Sequence, residues 1–170
     1  MFSIKGTEKV PCPCCGGSLR VVGSRLRKVA DLSGEQKTLR LRRLRCQTCG
    51  RIHHELPDFV IPYKRYESTC FERVVKPETR LDSPVDDATL FRWNRWFLDS
   101  LNYWMGCLRS MNLRYSLDRN PMDWTSTDLS TVLEEIGRLF GDGSGWLGRM
   151  AKPMANTNLW IHTRSAFLSV

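Results

Sequence analysis

Cys12-Pro13-Cys14-Cys15-Gly16 and Cys46-Gln47-Thr48-Cys49-Gly50 decide how this chain folds. In each, cysteines three apart (Cys12 and Cys15, Cys46 and Cys49) form a turn that places two thiolates about one tetrahedral edge apart. Two such turns build a closed four-thiolate site of the structural kind, with no position left open for water. The glycine after each pair relieves a tight turn, because it tolerates positive φ. The cysteines number seven, an odd count that argues against a disulfide framework. The expected ligands of one structural Zn2+ are therefore Cys12, Cys15, Cys46 and Cys49, in a zinc ribbon. Cys14 is expected to point away as a spectator, and His53 and His54 are weaker alternatives to a thiolate. His54-Glu55-Leu56-Pro57-Asp58 lacks the second histidine of a zinc-protease helix, and its proline would break that helix.

Between the knuckles, Leu19 to Ala30 and Thr38 to Arg45 read as strands about the turn Asp31-Leu32-Ser33-Gly34-Glu35. In Leu39-Arg40-Leu41-Arg42-Arg43-Leu44-Arg45 the alternation puts Arg40 and Arg42 on one face and then shifts phase after Arg43. That shift predicts a bulge or the end of the strand. The chain carries 26 Lys+Arg against 18 Asp+Glu, a formal charge of +8 over 170 residues. Residues 19–51 hold ten basic side chains against Asp31 and Glu35 alone, so the whole excess sits on this hairpin. A charge run is commonly a solvated face, but concentrated on a small stapled ribbon it predicts a polyanionic partner. Arg25, Arg27, Lys28, Arg40, Arg42, Arg43 and Arg45 are the expected phosphate contacts, adding affinity more than base specificity.

The remainder reads as helical. Pro57 and Pro62 mark the exit from the ribbon, and a short helix is expected over Tyr66 to Lys76, burying Phe71, Val74 and Val75 and ending at Pro77. Ser83-Pro84-Val85-Asp86 reads as a helix start, with Asp87 as the competing cap. A long helix, roughly Asp87 to Tyr115, carries the core stripe Leu90, Trp93, Phe97, Leu101, Trp104, Leu108 and Met111, leaving Arg92, Arg95, Trp96, Asp99 and Tyr103 on other faces. The order short helix, break, helix is that of a helix-turn-helix, in which Thr89, Arg92 and Arg95 would face DNA bases. The alternative is an ordinary helical hairpin. A further amphipathic helix starts near Ser126 and ends in the flexible loop Gly141-Asp142-Gly143-Ser144-Gly145, which lacks the Lys-Ser/Thr tail of a phosphate-binding loop. Trp146 to Val170 is expected to form one or two short helices, with His162 structural or at the surface. The expected class is α+β, with a zinc ribbon over 1–62 and an all-helical region over 63–170, helix-turn-helix-like over 66–115 and with C-terminal helices over 126–168.

Composition excludes a disordered tail and a membrane span, and the early charges Lys5, Glu8 and Lys9 leave no signal-peptide core, so a cytoplasmic protein is expected. The stretches Cys12 to Gly16, Arg27 to Leu32, Leu39 to Leu41 and Arg43 to Gly50 resemble the N-terminal zinc ribbon of bacterial insertion-sequence transposases. More closely, Pro11 to Tyr66 is similar to a bacterial family of unknown function that carries this ribbon without a transposase domain. Asp86 to Trp93 is similar to that family's recognition-like helix, and Asn158 to Leu168 is also family-like. The resemblance implies DNA binding linked to a mobile element. The stretch 63–170 lacks the transposase α/β core and its three carboxylates; Asp86, Asp87, Glu134 and Glu135 read as helix-start and solvated-face residues. The expectation is a non-enzymatic, zinc-stabilised protein that binds double-stranded DNA and partners a transposase or integrase, with neither membrane nor small-molecule substrate. The alternative is a protein-interaction or RNA-binding ribbon of a larger assembly.

Overall fold

A computed structural model describes residues 1–75, 85–115 and 128–160, together with the backbone of 166–169. The fold is α+β: strands first, then helices. β1 (Phe2–Ser3), β2 (Leu19–Ala30), β3 (Gln36–Cys46) and β4 (Ile52–Pro57) precede α1 (Ser68–Val75), α2 (Asp87–Tyr115), α3 (Leu129–Phe140) and α4 (Trp146–Asn156). A last strand, β5 (Ala166–Ser169), lies parallel to β4, with His54 opposite Ala166. The chain after residue 62 is therefore not all helical. Four residues carry too weak a local pattern to declare a strand, and pairing with β4 decides their conformation. Pro77, Ser83, Pro84, Ser126 and His162 lie outside the described residues, as do the side chains beyond Trp160.

β3 is the centre of the sheet. β2 runs antiparallel along one edge, from Ala30 opposite Gln36 to Leu19 opposite Cys46. The other edge is shared by β1, parallel at Leu39 and Arg40, and β4, antiparallel from Arg43 to Arg45. The hairpin turn forms as expected. The Asp31 carboxylate accepts from the backbone N–H of Ser33 (2.9 Å) and Glu35 (3.2 Å) and pairs with Lys37 at 2.8 Å. Lys37, with Ser33, holds that carboxyl well below the usual range.

The bulge expected near Arg43 forms on the neighbouring strand. Between Val21 opposite Leu44 and Gly23 opposite Arg43 the register slips by one, so the extra residue is Val22, and β3 runs unbroken to Cys46. Gly23 carries the distortion at φ 150°. Residues directly opposite share a face. The register thus puts Arg25, Arg27, Leu39, Leu41, Arg43 and His54 on one face, and Leu26, Lys28, Arg40, Arg42 and Glu55 on the other.

The first face packs the core: Leu39, Leu41, Leu56 and Val29 are buried with the helical residues Phe71, Phe97, Trp104, Leu147 and Met150. The spacing predicts the stripe of α2 well, and every member except half-buried Trp93 is buried. Trp96 joins this core instead of facing outward. Its ring lies 5.4 Å from Phe71 and 5.2 Å from Trp104 edge-on, and Lys64 Nζ sits 3.7 Å over it. Burial lowers the Lys64 pKa to about 8.

Polar contacts orient the helices. Asp86 caps α2, accepting from the backbone N–H of Thr89 at 2.7 Å, and Asp128 caps α3 by accepting from Thr131 N at 3.0 Å. Buried Glu72 of α1 accepts from Gly145 N (2.8 Å) and Leu147 N (3.0 Å), satisfying N–H groups at the start of α4. The loop 141–145 is held, contrary to the expected flexible link. Arg149 donates to the carbonyls of Phe140 (2.6 Å), Gly141 (3.1 Å), Gly143 (2.8 Å) and Ser144 (2.9 Å). Among the described residues no helix is long and apolar enough to cross a membrane.

Gly148 marks where α4 comes closest to the strand exit. A Cβ there would lie 1.9 Å from the Asp58 carbonyl oxygen and 3.0 Å from its carbon, backbone atoms that cannot swing aside. Gly148→Ala is expected to lower stability by about 2–3 kcal/mol through forced separation of helix and loop. Thermal unfolding checks this, and an unchanged melting temperature would contradict the packing described.

Candidate metal centre and basic surface

The knuckles bring four sulfurs together. Cys12 Sγ lies 3.7 Å from Cys49 Sγ, Cys15 Sγ lies 3.5 Å from Cys46 Sγ, and all four are within 4.8 Å of one another. A tetrahedron with metal–sulfur bonds of about 2.3 Å has edges of about 3.8 Å, so the cluster has the size to hold one metal ion. Local backbone builds it. Cys12 O accepts from Gly16 N at 2.8 Å and Cys46 O from Gly50 N at 3.1 Å, which closes the two turns, and Gly16 sits at φ 73°. The turns touch at Gly17, where a Cβ would lie 2.4 Å from Thr48 Oγ1 and 2.9 Å from Thr48 Cβ.

The thiols differ in their ease of ionisation. The backbone N–H groups of Cys49 and Thr48, each 3.4 Å from Cys46 Sγ, pull that thiol down to about 6. Burial pushes Cys12 up to about 12. A dication among the sulfurs favours the thiolate at every one, and its binding releases protons. Fully buried His53 stands beside the cluster, its Nε2 3.3 Å from Cys12 Sγ, and burial lowers its pKa. A neutral imidazole can donate an N–H to the Cys12 sulfur and orient it.

Cys14 does not turn away as expected. Its Sγ accepts from Arg51 Nη1 at 3.2 Å and falls in a second group with Cys12 and His53, again within 4.8 Å. His54 lies on the opposite sheet face, level with Arg43.

The expected phosphate contacts divide into two kinds. Arg25, Lys28, Arg40 and Arg45 are exposed and Arg43 is half-buried, and none of the five has a carboxylate partner among the described residues. Arg27 and Arg42 serve the fold. Arg27 donates Nη2 to the Ile61 carbonyl at 3.1 Å and to the Lys64 carbonyl at 2.5 Å, and burial lowers its pKa to about 10. Arg42 forms a two-pronged pair with the carboxylate of Glu55, which also accepts from Gly6 N at 3.1 Å; Glu55 is 1% exposed. The sequence pattern places both arginines in a basic ribbon, Arg42 by alternation with Arg40 and Arg27 on the strand opposite. Their partners lie on other segments, residues 61–64 for Arg27 and β4 for Arg42, which one strand's sequence does not show.

The helical trio differs again. Thr89 Oγ1 accepts from Arg92 Nη2 at 2.8 Å and donates to Asp86 at 3.3 Å, within the cap of α2. Arg95 is exposed and meets Asp99 at 3.6 Å. The connection between α1 and α2 that would define a helix-turn-helix lies outside the described residues.

A family model described as "Domain of unknown function (DUF6431)" matches residues 12–93, just under half of the chain. The match runs from the first cysteine of the cluster to Trp93 in the opening turns of α2, so it contains both knuckles and the basic hairpin. No curated protein and no solved structure matches the chain.

Proposed function

We propose that this is a zinc-stabilised, non-catalytic module that binds nucleic acid, in the first place duplex DNA, through the cations of its hairpin. The observation that carries the reading is the set of cations without carboxylate partners among the described residues. Arg25, Lys28, Arg40, Arg43 and Arg45 are gathered on one stapled hairpin, while the nearby acids are used internally by Lys37 and Arg42. Charge left unneutralised on a rigid surface favours a polyanion. Zinc is the fitting metal because four thiolates in a tetrahedron are its usual structural set. A four-thiolate ion has no open position for substrate, which supports a role outside catalysis. Association with a mobile element, and a transposase or integrase as partner, rest on the sequence resemblance alone, and a reducing compartment such as the cytoplasm suits the free thiols.

The test is binding of the metal-loaded chain to a fluorescent duplex over a salt series. Four or five phosphate contacts predict a slope of about −4 in log affinity against log salt, a loss on the order of a few hundredfold between 50 and 200 mM. Reversing Arg40 and Arg45 to Glu should lower both the affinity and the slope. A flat salt response, or no duplex binding, would overturn the reading.

A further inference from the structure

The sheet face that carries Arg25 and His54 is only partly covered by the helices. Where coverage stops, an open cavity of about 850 Å3 lies between β2, the end of β4 and residues 63–66. Its lining holds Leu41 and Leu56, both buried, together with Arg25, His54, Arg65 and two tyrosines, and among the described residues no carboxylate. The local potential is positive: beyond burial itself, Arg25, Arg43 and Arg27 depress the His54 pKa.

Tyr63 at this site is unusual in two ways. It holds φ at 63°, a conformation that bulky side chains rarely adopt, and the residue is 65% exposed although those on either side are Pro62, which is buried, and Lys64, which lies over Trp96. Backbone in this region persists only where its surroundings impose it, and such residues gather at ligand sites. The second tyrosine, Tyr66, is fixed edge-on against Trp93 at 4.7 Å and forms a stationary wall.

We propose that this cavity binds one unstacked nucleotide, with the base against the ring of Tyr63 and the phosphate among Arg25, His54 and Arg65. The chemistry selects that ligand. Guanidinium groups without acidic neighbours call for an anion, the apolar floor and free tyrosine ring call for a flat aromatic body, and the volume suits a nucleotide-sized ligand. A base stacked inside a duplex has no free face to offer, so the ligand is either a nucleotide of a single strand or a free nucleotide. This deepens, and rests on, the nucleic-acid reading above; it shares Arg25 with that surface but not Arg40, which lies on the other face of the sheet.

The experiment measures the metal-loaded full chain against fluorescent oligo(dT), a duplex of equal length and free dTMP, with Tyr63→Ala, Tyr63→Phe and Arg65→Ala compared by circular dichroism to confirm that each folds. Tyr63→Ala should weaken oligo(dT) binding roughly tenfold or more. Tyr63→Phe should retain it, Arg65→Ala should weaken it, and duplex affinity should stay within about twofold. Saturable dTMP binding lost in Tyr63→Ala would identify a free nucleotide as the ligand; oligo(dT) binding without dTMP binding would identify a strand. Either result supports the site. Oligo(dT) affinity unchanged in both Tyr63→Ala and Arg65→Ala, or lowered equally for strand and duplex, would overturn it. Strand binding with no duplex binding would leave the site standing and overturn only the duplex reading.

Discussion

Replacing Cys46 or Cys49 by Ser is expected to leave residues 12–57 without a stable fold and to abolish stoichiometric zinc. The free energy of binding a structural zinc ion is also free energy of folding, on the order of 10 kcal/mol or more in small thiolate sites, far above what contacts such as Gln47 N to Ser18 O add between the knuckles. β2 shows why: nearly all of its residues from Arg20 to Lys28 are exposed, so this end of the hairpin has almost no core of its own. Metal analysis with circular dichroism over zinc additions checks the expectation, and a folded zinc-free variant would refute it. Cys14→Ser and Cys15→Ser separate the two ligand groups that share Cys12. If the four cysteines hold the metal, Cys15→Ser abolishes binding and Cys14→Ser is nearly silent; the Cys12, Cys14 and His53 group predicts the reverse.

Glu55→Ala is expected to destabilise the metal-loaded protein by about 3–5 kcal/mol. The side chain of Glu55 is 2% exposed and that of Arg42 27% exposed, so truncation strands a guanidinium that water reaches only in part. It also takes the acceptor from Gly6 N, which loosens the segment that follows β1. The partial exposure of Arg42 places the loss at the lower end of the range. Urea unfolding measures it, and a loss under about 1 kcal/mol would show that the pair is only a surface contact. The double variant Arg42→Met/Glu55→Leu should regain much of the loss, because a matched apolar pair leaves no orphaned charge.

Much of the frame is legible from short-range chemistry. The cysteine spacing, the Asp31 to Glu35 turn and the three-and-four spacing along α2 each act within a few residues, and each forms as expected. What escapes such reading depends on contacts between distant segments. Glu55 looks like the remnant of a failed protease motif until β3 places Arg42 beside it. β5 exists because β4 offers it an edge. The cavity needs strand residues near 25 and loop residues near 63, and no periodicity connects them. The phase shift in β3 coincides with a bulge, but the extra residue, Val22, sits on the partner strand.

Gly16 and Gly17 are neighbours that favour glycine for opposite reasons. Gly16 needs a left-handed backbone but has open space around its Cβ position, so Asn or Asp, which visit that conformation readily, are its natural substitutes. Gly17 has no such torsional demand and no room, since Thr48 of the other knuckle fills the place of a Cβ. A substitution scan across this dipeptide would therefore separate two tolerances: a narrow polar set at the first position and intolerance at the second, relieved by shrinking Thr48 to Gly.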